Sequence, residues 1–173
     1  VEERMEITRT GNLIINRLLD SLSSAYFFPD LPKTFFVGEV DEVEGRRMCR
    51  LSFTTLSHKL GIFPGIKRGE SEFAAISYDF KVRYDEDKTI VSLNYMEDTS
   101  FAENGGEAFE LIDGLKEFDL RYYEGKINTW HDTWDTGLKG FLPDAVSIYL
   151  VVADSSGVEH IFRGIARVML AGS

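Results

Sequence analysis

Few side chains in this sequence have the type and spacing that chemistry requires. The three histidines, His58, His131 and His160, fall in separate segments. None lies in an H-x-x-x-H or H-E-x-x-H pattern, which would put two imidazoles on one helix face around a metal. There is no G-x-S-x-G nucleophile elbow. The sole cysteine, Cys49, excludes an internal disulfide and any multi-cysteine zinc site. It sits in phase with Leu51 and Phe53, so it is expected as a small core residue; a reactive thiolate needs an exposed basic setting and a histidine partner. One constellation remains, Trp130-His131-Asp132-Thr133-Trp134-Asp135. Two tryptophans could stack a sugar, with Asp132 or Asp135 as acid or base. The simpler reading is a tryptophan plug over a sheet edge.

Two loops have ligand-like composition and the wrong spacing. Glu97 to Glu107 holds four acids and Gly105-Gly106 but lacks the D-x-D-x-D-G order of a calcium loop. It is read as solvated. His58 to Ser71 carries Gly61, Gly65 and Gly69 without the lysine and hydroxyl that end a phosphate-binding loop, so it is read as a connection. No catalytic, cofactor or metal site is therefore expected, and the protein is read as a non-enzyme. With 29 acids against 19 bases the net charge is −10, which argues against nucleic acid as a partner.

The elements that would position these residues are mostly strands. Asp113 to Val152 holds two of them: Phe118, Leu120 and Tyr122 alternate with Asp119 and Arg121, and Ala145 to Val152 is β-branched and aromatic after Pro143. Both tryptophans lie between the two. A hairpin is expected over Phe35–Val43 and Arg46–Leu56 with Glu44-Gly45 at its turn, its acidic first arm facing a basic second arm. Another joins Phe73–Tyr84 to Thr89–Met96. A last strand covers Glu159 to Leu170 after the turn Asp154-Ser155-Ser156-Gly157. From Glu2 to Phe27 there is no proline, and Ile14, Ile15, Leu18, Leu19, Leu22, Ala25 and Tyr26 recur at helical spacing. This predicts a long amphipathic helix ended by Pro29 and Pro32, whose early turns project beyond the sheet.

The order of these pieces resembles the J-type minor pseudopilins of bacterial type II secretion systems. The matching residues are Phe36-Val37-Gly38-Glu39, Leu51-Ser52-Phe53-Thr54-Thr55, Leu111 with Gly114-Leu115, and Leu120-Arg121-Tyr122-Tyr123. Trp130 and Trp134, Leu142-Pro143-Asp144-Ala145-Val146, and Asp154 with Gly157 continue the match. The return strand Ile90-Val91-Ser92-Leu93-Asn94-Tyr95 departs from the family in having no arginine.

The resemblance implies an α+β, pseudopilin-like fold: a long N-terminal helix packed on antiparallel sheet, read as two sheets. Residues 1–28 form the helix and 29–173 a β-rich part of the same domain. The chain holds no apolar run of membrane-spanning length and opens on Val1-Glu2-Glu3-Arg4, as though cut just after a membrane segment. By resemblance the protein is anchored in the inner membrane through that missing segment, with its globular part in the periplasm. It joins the I-type and K-type minor pseudopilins, the H-type being a further candidate, at a pseudopilus tip that initiates assembly. Ile7, Gly11, Ile14, Ile15 and Leu18 form the expected partner-binding face. Two alternatives stay open: a minor pilin of a type IV pilus, and a secreted β-rich carbohydrate-binding or hydrolytic domain built on the tryptophans.

Overall fold

An unbroken, proline-free run with apolar side chains every three or four residues forms helix α1 (Glu2–Ser23), whose first turn is acidic, as suits the positive end of the helix dipole. The computed structural model describes residues 1–56, 73–98 and 107–171. The helix stops at Ser23, ahead of the two prolines, because the sheet captures the next residues. Tyr26 N–H donates to the Thr54 carbonyl at 2.8 Å and Leu56 N–H to the Ser24 carbonyl at 2.9 Å, while the Thr55 hydroxyl caps the Ser21 carbonyl at 2.8 Å.

Strands β1 (Phe36–Val43) and β2 (Arg46–Thr55) form the first hairpin, with Glu44 and Gly45 both at positive φ in the turn. That geometry matches the right-handed twist of the arms. The arms register Glu39 with Arg50 and Glu42 with Arg47. The arginines nevertheless reach to other strands: Arg47 Nε lies 2.7 Å from Asp119, and Arg50 Nε 2.9 Å from Asp79, with Asp41 at 3.4 Å from its Nη1. Strands β3 (Ala74–Asp85) and β4 (Lys88–Asp98) pair as expected, setting Tyr78 against Tyr95, Phe80 against Leu93 and Val82 against Val91. Strand β5 (Glu107–Asp113) extends this block and was not predicted.

The second block is β6 (Leu115–Glu124), β9 (Ala145–Ala153) and β10 (Glu159–Arg167), all antiparallel, with short β7 (Thr129–His131) on β6. Strand β8 (Trp134–Asp135) returns to pair with β1, and the single turn α2 (Thr136–Lys139) follows it. Among the described residues the two sheets expected from the sequence are one ten-stranded sheet, whose main path runs β10-β9-β6-β2-β3-β4-β5 with β1, β7 and β8 paired off it. The blocks meet at one parallel bridge, Met48 to Phe118. Beside it the Leu120 N–H reaches the Cys49 sulfur at 3.3 Å, so the buried thiol occupies the place of a ladder acceptor at the seam.

The core lies between α1 and the sheet. Ile14, Leu18 and Leu22 are fully buried with Phe36, Phe53, Phe118 and Leu120, and α1 packs on β10 and β9. Each of these aliphatic side chains contributes about 1.5–3 kcal/mol by leaving water.

Candidate partner interface

The start of α1 is clamped to the turn between β9 and β10. Glu3 accepts from the Ser155 N–H at 2.7 Å and from its hydroxyl at 2.6 Å, and Arg4 Nε lies 3.4 Å from Asp154. The Asp154 carboxylate also accepts from the Ser156 hydroxyl (2.6 Å), His160 Nε2 (3.1 Å) and the Val158 and Ser156 N–H groups. These donors, led by the Ser156 hydroxyl and His160, hold its carboxyl well below the usual aspartate range. The first turns therefore lie against the domain and do not project from it.

The clamp leaves Met5 exposed and Ile7 half-buried beside a groove of about 280 Å³, lined by Glu3, Glu6, Ile7 and Thr10 on the helix and by Leu111, Ile112, Asp113 and Ala153 on the sheet. Ile7 is thus the one member of the expected partner-binding face at an accessible edge. The expected exposure of the others is corrected: Ile14 and Leu18 are fully buried, Ile15 is 6% exposed, and Gly11 lies under the Phe162 ring. A continuous apolar stripe does not reveal how far its own sheet extends beneath it.

Two of the motifs quoted above touch each other. Phe36 meets the Tyr122 ring edge-on at 5.8 Å, and a β-carbon at position 38 would overlap the Tyr122 hydroxyl. The F-V-G and L-R-Y-Y segments thus form one packing unit. The Tyr122 hydroxyl is buried with no hydrogen-bond partner among the described residues, and burial pushes its ionisation upward.

The tryptophan segment divides. Trp134 is 1% exposed, donates its indole N–H to the Phe141 carbonyl at 3.0 Å and sits edge-on to Phe141, as a plug should. Trp130 is 45% exposed and leans on Tyr123 at 5.0 Å, so it plugs nothing. The acids beside them are taken. Asp132 pairs with Arg47 and Arg121, Asp135 accepts from the Gly137 N–H at the start of α2, and His131 faces Glu124 at 3.1 Å. Glu124 also holds Lys139 at 2.6 Å, and that contact leads in drawing its carboxyl below its ordinary value. With one ring buried and both aspartates engaged, this segment does not form the two-ring sugar platform that the sequence suggested.

His58 and the glycine-rich loop lie outside the described residues, as does most of the acidic loop. Among the described residues no group of three or more histidine, cysteine or acidic side chains is placed to hold a metal ion, and no helix is long and apolar enough to cross a membrane. The contact of Glu3 and Arg4 with Asp154 and Ser155 is not readable from the sequence, although Asp154 opens the turn named above. An aspartate opening a turn binds the amides that follow it.

The family model described as Type II secretion system (T2SS), protein J matches residues 28–163. No curated protein matches the chain. A similar solved structure is a type IV-like pilin from Thermus thermophilus, 12% identical, covering 95% of this chain and 94% of that one with a TM-score of 0.49.

Proposed function

The chain belongs to the type II secretion system protein J family, and from that membership we propose that it sits at the pseudopilus tip, joined to the I-type and K-type minor pseudopilins. It is a minor pseudopilin, a structural component of an envelope secretion machine. In the proposed arrangement a membrane segment ahead of Val1 anchors it in the inner membrane and the β-rich part stands in the periplasm. There the assembled tip initiates the filament that exports folded proteins. The I-type and K-type partners and the position at the tip come from the family resemblance.

The observation that carries the contact surface is the clamp. By fixing α1 on the β9–β10 turn, Glu3 and Arg4 hold Ile7 at the edge of the helix-lined groove, while Met5 stands exposed on the same turns of the helix. Apolar side chains held in place at a surface suit a partner helix, because little conformational freedom is lost when they are covered.

The test is a titration of this domain with the soluble domain of its cognate I-type pseudopilin. Ile7→Glu is expected to keep the melting temperature close to wild type and to weaken binding, mainly through faster dissociation. Unchanged affinity for Ile7→Glu and for Met5→Glu would remove the start of the helix from the interface.

A further inference from the structure

Strand β10 ends the sheet. One of its sides pairs with β9 along all of Glu159–Arg167, and the other has no strand partner among the described residues. Proteins usually blunt such an edge by brevity, proline, a bulge, charged side chains or a covering helix, because its free amides and carbonyls can template another strand. β10 lacks the first three, since it runs for nine residues, contains no proline and keeps its register against β9 without a shift; it carries arginines on one face, and α1 packs against it.

Its inner face packs on α1 through Phe162 and Ala166, both buried. Its outer face presents Ile161, Arg163, Ile165 and Arg167 in alternation, and the two isoleucines are 52% and 68% exposed. Arg163 lies over the Tyr149 ring at 5.2 Å. Neither it nor Arg167 has an acidic partner among the described residues, whereas Arg46, Arg47, Arg50 and Arg121 on the other strands all do. Two unpaired guanidinium groups, on one face of an open edge in a chain of net charge −10, complement an acidic ligand.

We infer that β10 is a docking edge for an extended acidic segment of a partner protein, which adds to the sheet as a further strand. Main-chain hydrogen bonds along the free edge supply affinity. Arg163 and Arg167 select acidic side chains, and Ile161 and Ile165 cover apolar ones between them. Alternate residues on one face repeat at about 6.7 Å, so acids four residues apart on the added strand match the spacing of the two arginines. A second copy of this chain fits less well. Its acidic edge, β5, is itself irregular, its pairing with β4 skipping Leu111 at the register shift between Leu93 and Asn94, and its Asp113 already faces Arg83. This surface is separate from the helix contact and does not depend on it.

The probe is a short synthetic peptide of repeat Glu-Thr-Val-Thr, whose glutamates and valines alternate on one face of a strand, titrated into the isotope-labelled domain. The controls are the same repeat with lysine in place of glutamate and a scrambled acidic peptide of the same composition. The acidic alternating peptide is expected to shift and protect the amides of Glu159–Arg167, with affinity falling as salt rises. The double variant Arg163→Glu, Arg167→Glu is expected to lose about tenfold or more in affinity while its melting temperature stays close to wild type. Ile165→Thr supplies a milder second variant with the same expected direction. Equal binding of all three peptides, binding mapped away from β10, or affinity indifferent to the double variant would overturn the inference. Self-association mapped to β10 without peptide would also overturn it, by making a second copy the occupant.

Discussion

The Phe162 ring of β10 occupies the space where a β-carbon at Gly11 of α1 would stand. A glycine in mid-helix costs about 1 kcal/mol relative to alanine, and here it lets the helix lie close on the edge strand. Gly11→Ala is expected to lower stability by about 1–2 kcal/mol in spite of the gain in helix propensity, because the buried ring must shift. Phe162→Leu in the same chain should recover part of that loss. Denaturant melts of the two single variants and the double variant measure the coupling, and additive effects would show that ring and glycine are independent.

The Tyr122 hydroxyl is buried without a partner among the described residues, so removing it relieves a desolvation cost. Tyr122→Phe is expected to leave stability unchanged or raise it by about 1 kcal/mol. A loss beyond about 1 kcal/mol in urea unfolding would mean that the hydroxyl is satisfied in solution.

The two tryptophans separate in energy as they do in burial. Trp134→Ala is expected to cost about 3–5 kcal/mol, the usual range for emptying a buried aromatic site. Trp130→Ala should cost within about 0.5 kcal/mol, as for an exposed residue. Equal effects in thermal or urea melts would contradict the placement of Trp130.

Cys49 should resist an aromatic disulfide reagent in the native protein and react on unfolding. Burial raises its thiol pKa, and its sulfur is engaged with the Leu120 N–H. Labelling as fast as that of a free thiol, in buffer without denaturant, would place the seam between β2 and β6 in solvent.

Asp154 gives the clamp a pH dependence of known sign. Its carboxyl is held below the usual value of about 3.9, so the stability it contributes is fully present above that value and is lost as pH falls through its lowered folded value. Melting temperature should therefore decline on acidification below about pH 4, and Asp154→Asn should start lower at neutral pH with a shallower decline. Parallel pH profiles for the two proteins would show that another carboxylate governs the acid limb.

Much of this organisation was legible in the residues because it is local. The period of two in Phe118, Leu120 and Tyr122, the β-branched run of β9, the Glu44-Gly45 turn and the helical spacing of Ile14, Leu18 and Leu22 each follow from side chains a few positions apart. The same ordered segments pointed to the family. β5 was missed because Phe109-Glu110-Leu111-Ile112 does not alternate cleanly and its strand partner lies in β4, across the acidic loop.

What tertiary structure alone decided depends on residues far apart in sequence. Helix α1 ends at Ser23 because β2, some thirty residues on, takes the hydrogen bonds that further turns would have used. Gly11, Ile14, Ile15 and Leu18 face inward because β10 and β9, from the far end of the chain, lie under them. Glu3 and Arg4 become a clamp only when Asp154 and Ser155 arrive beside them. Spacing within a segment determines which face is apolar, and the partner that covers this face is set by chain topology, which no local pattern encodes.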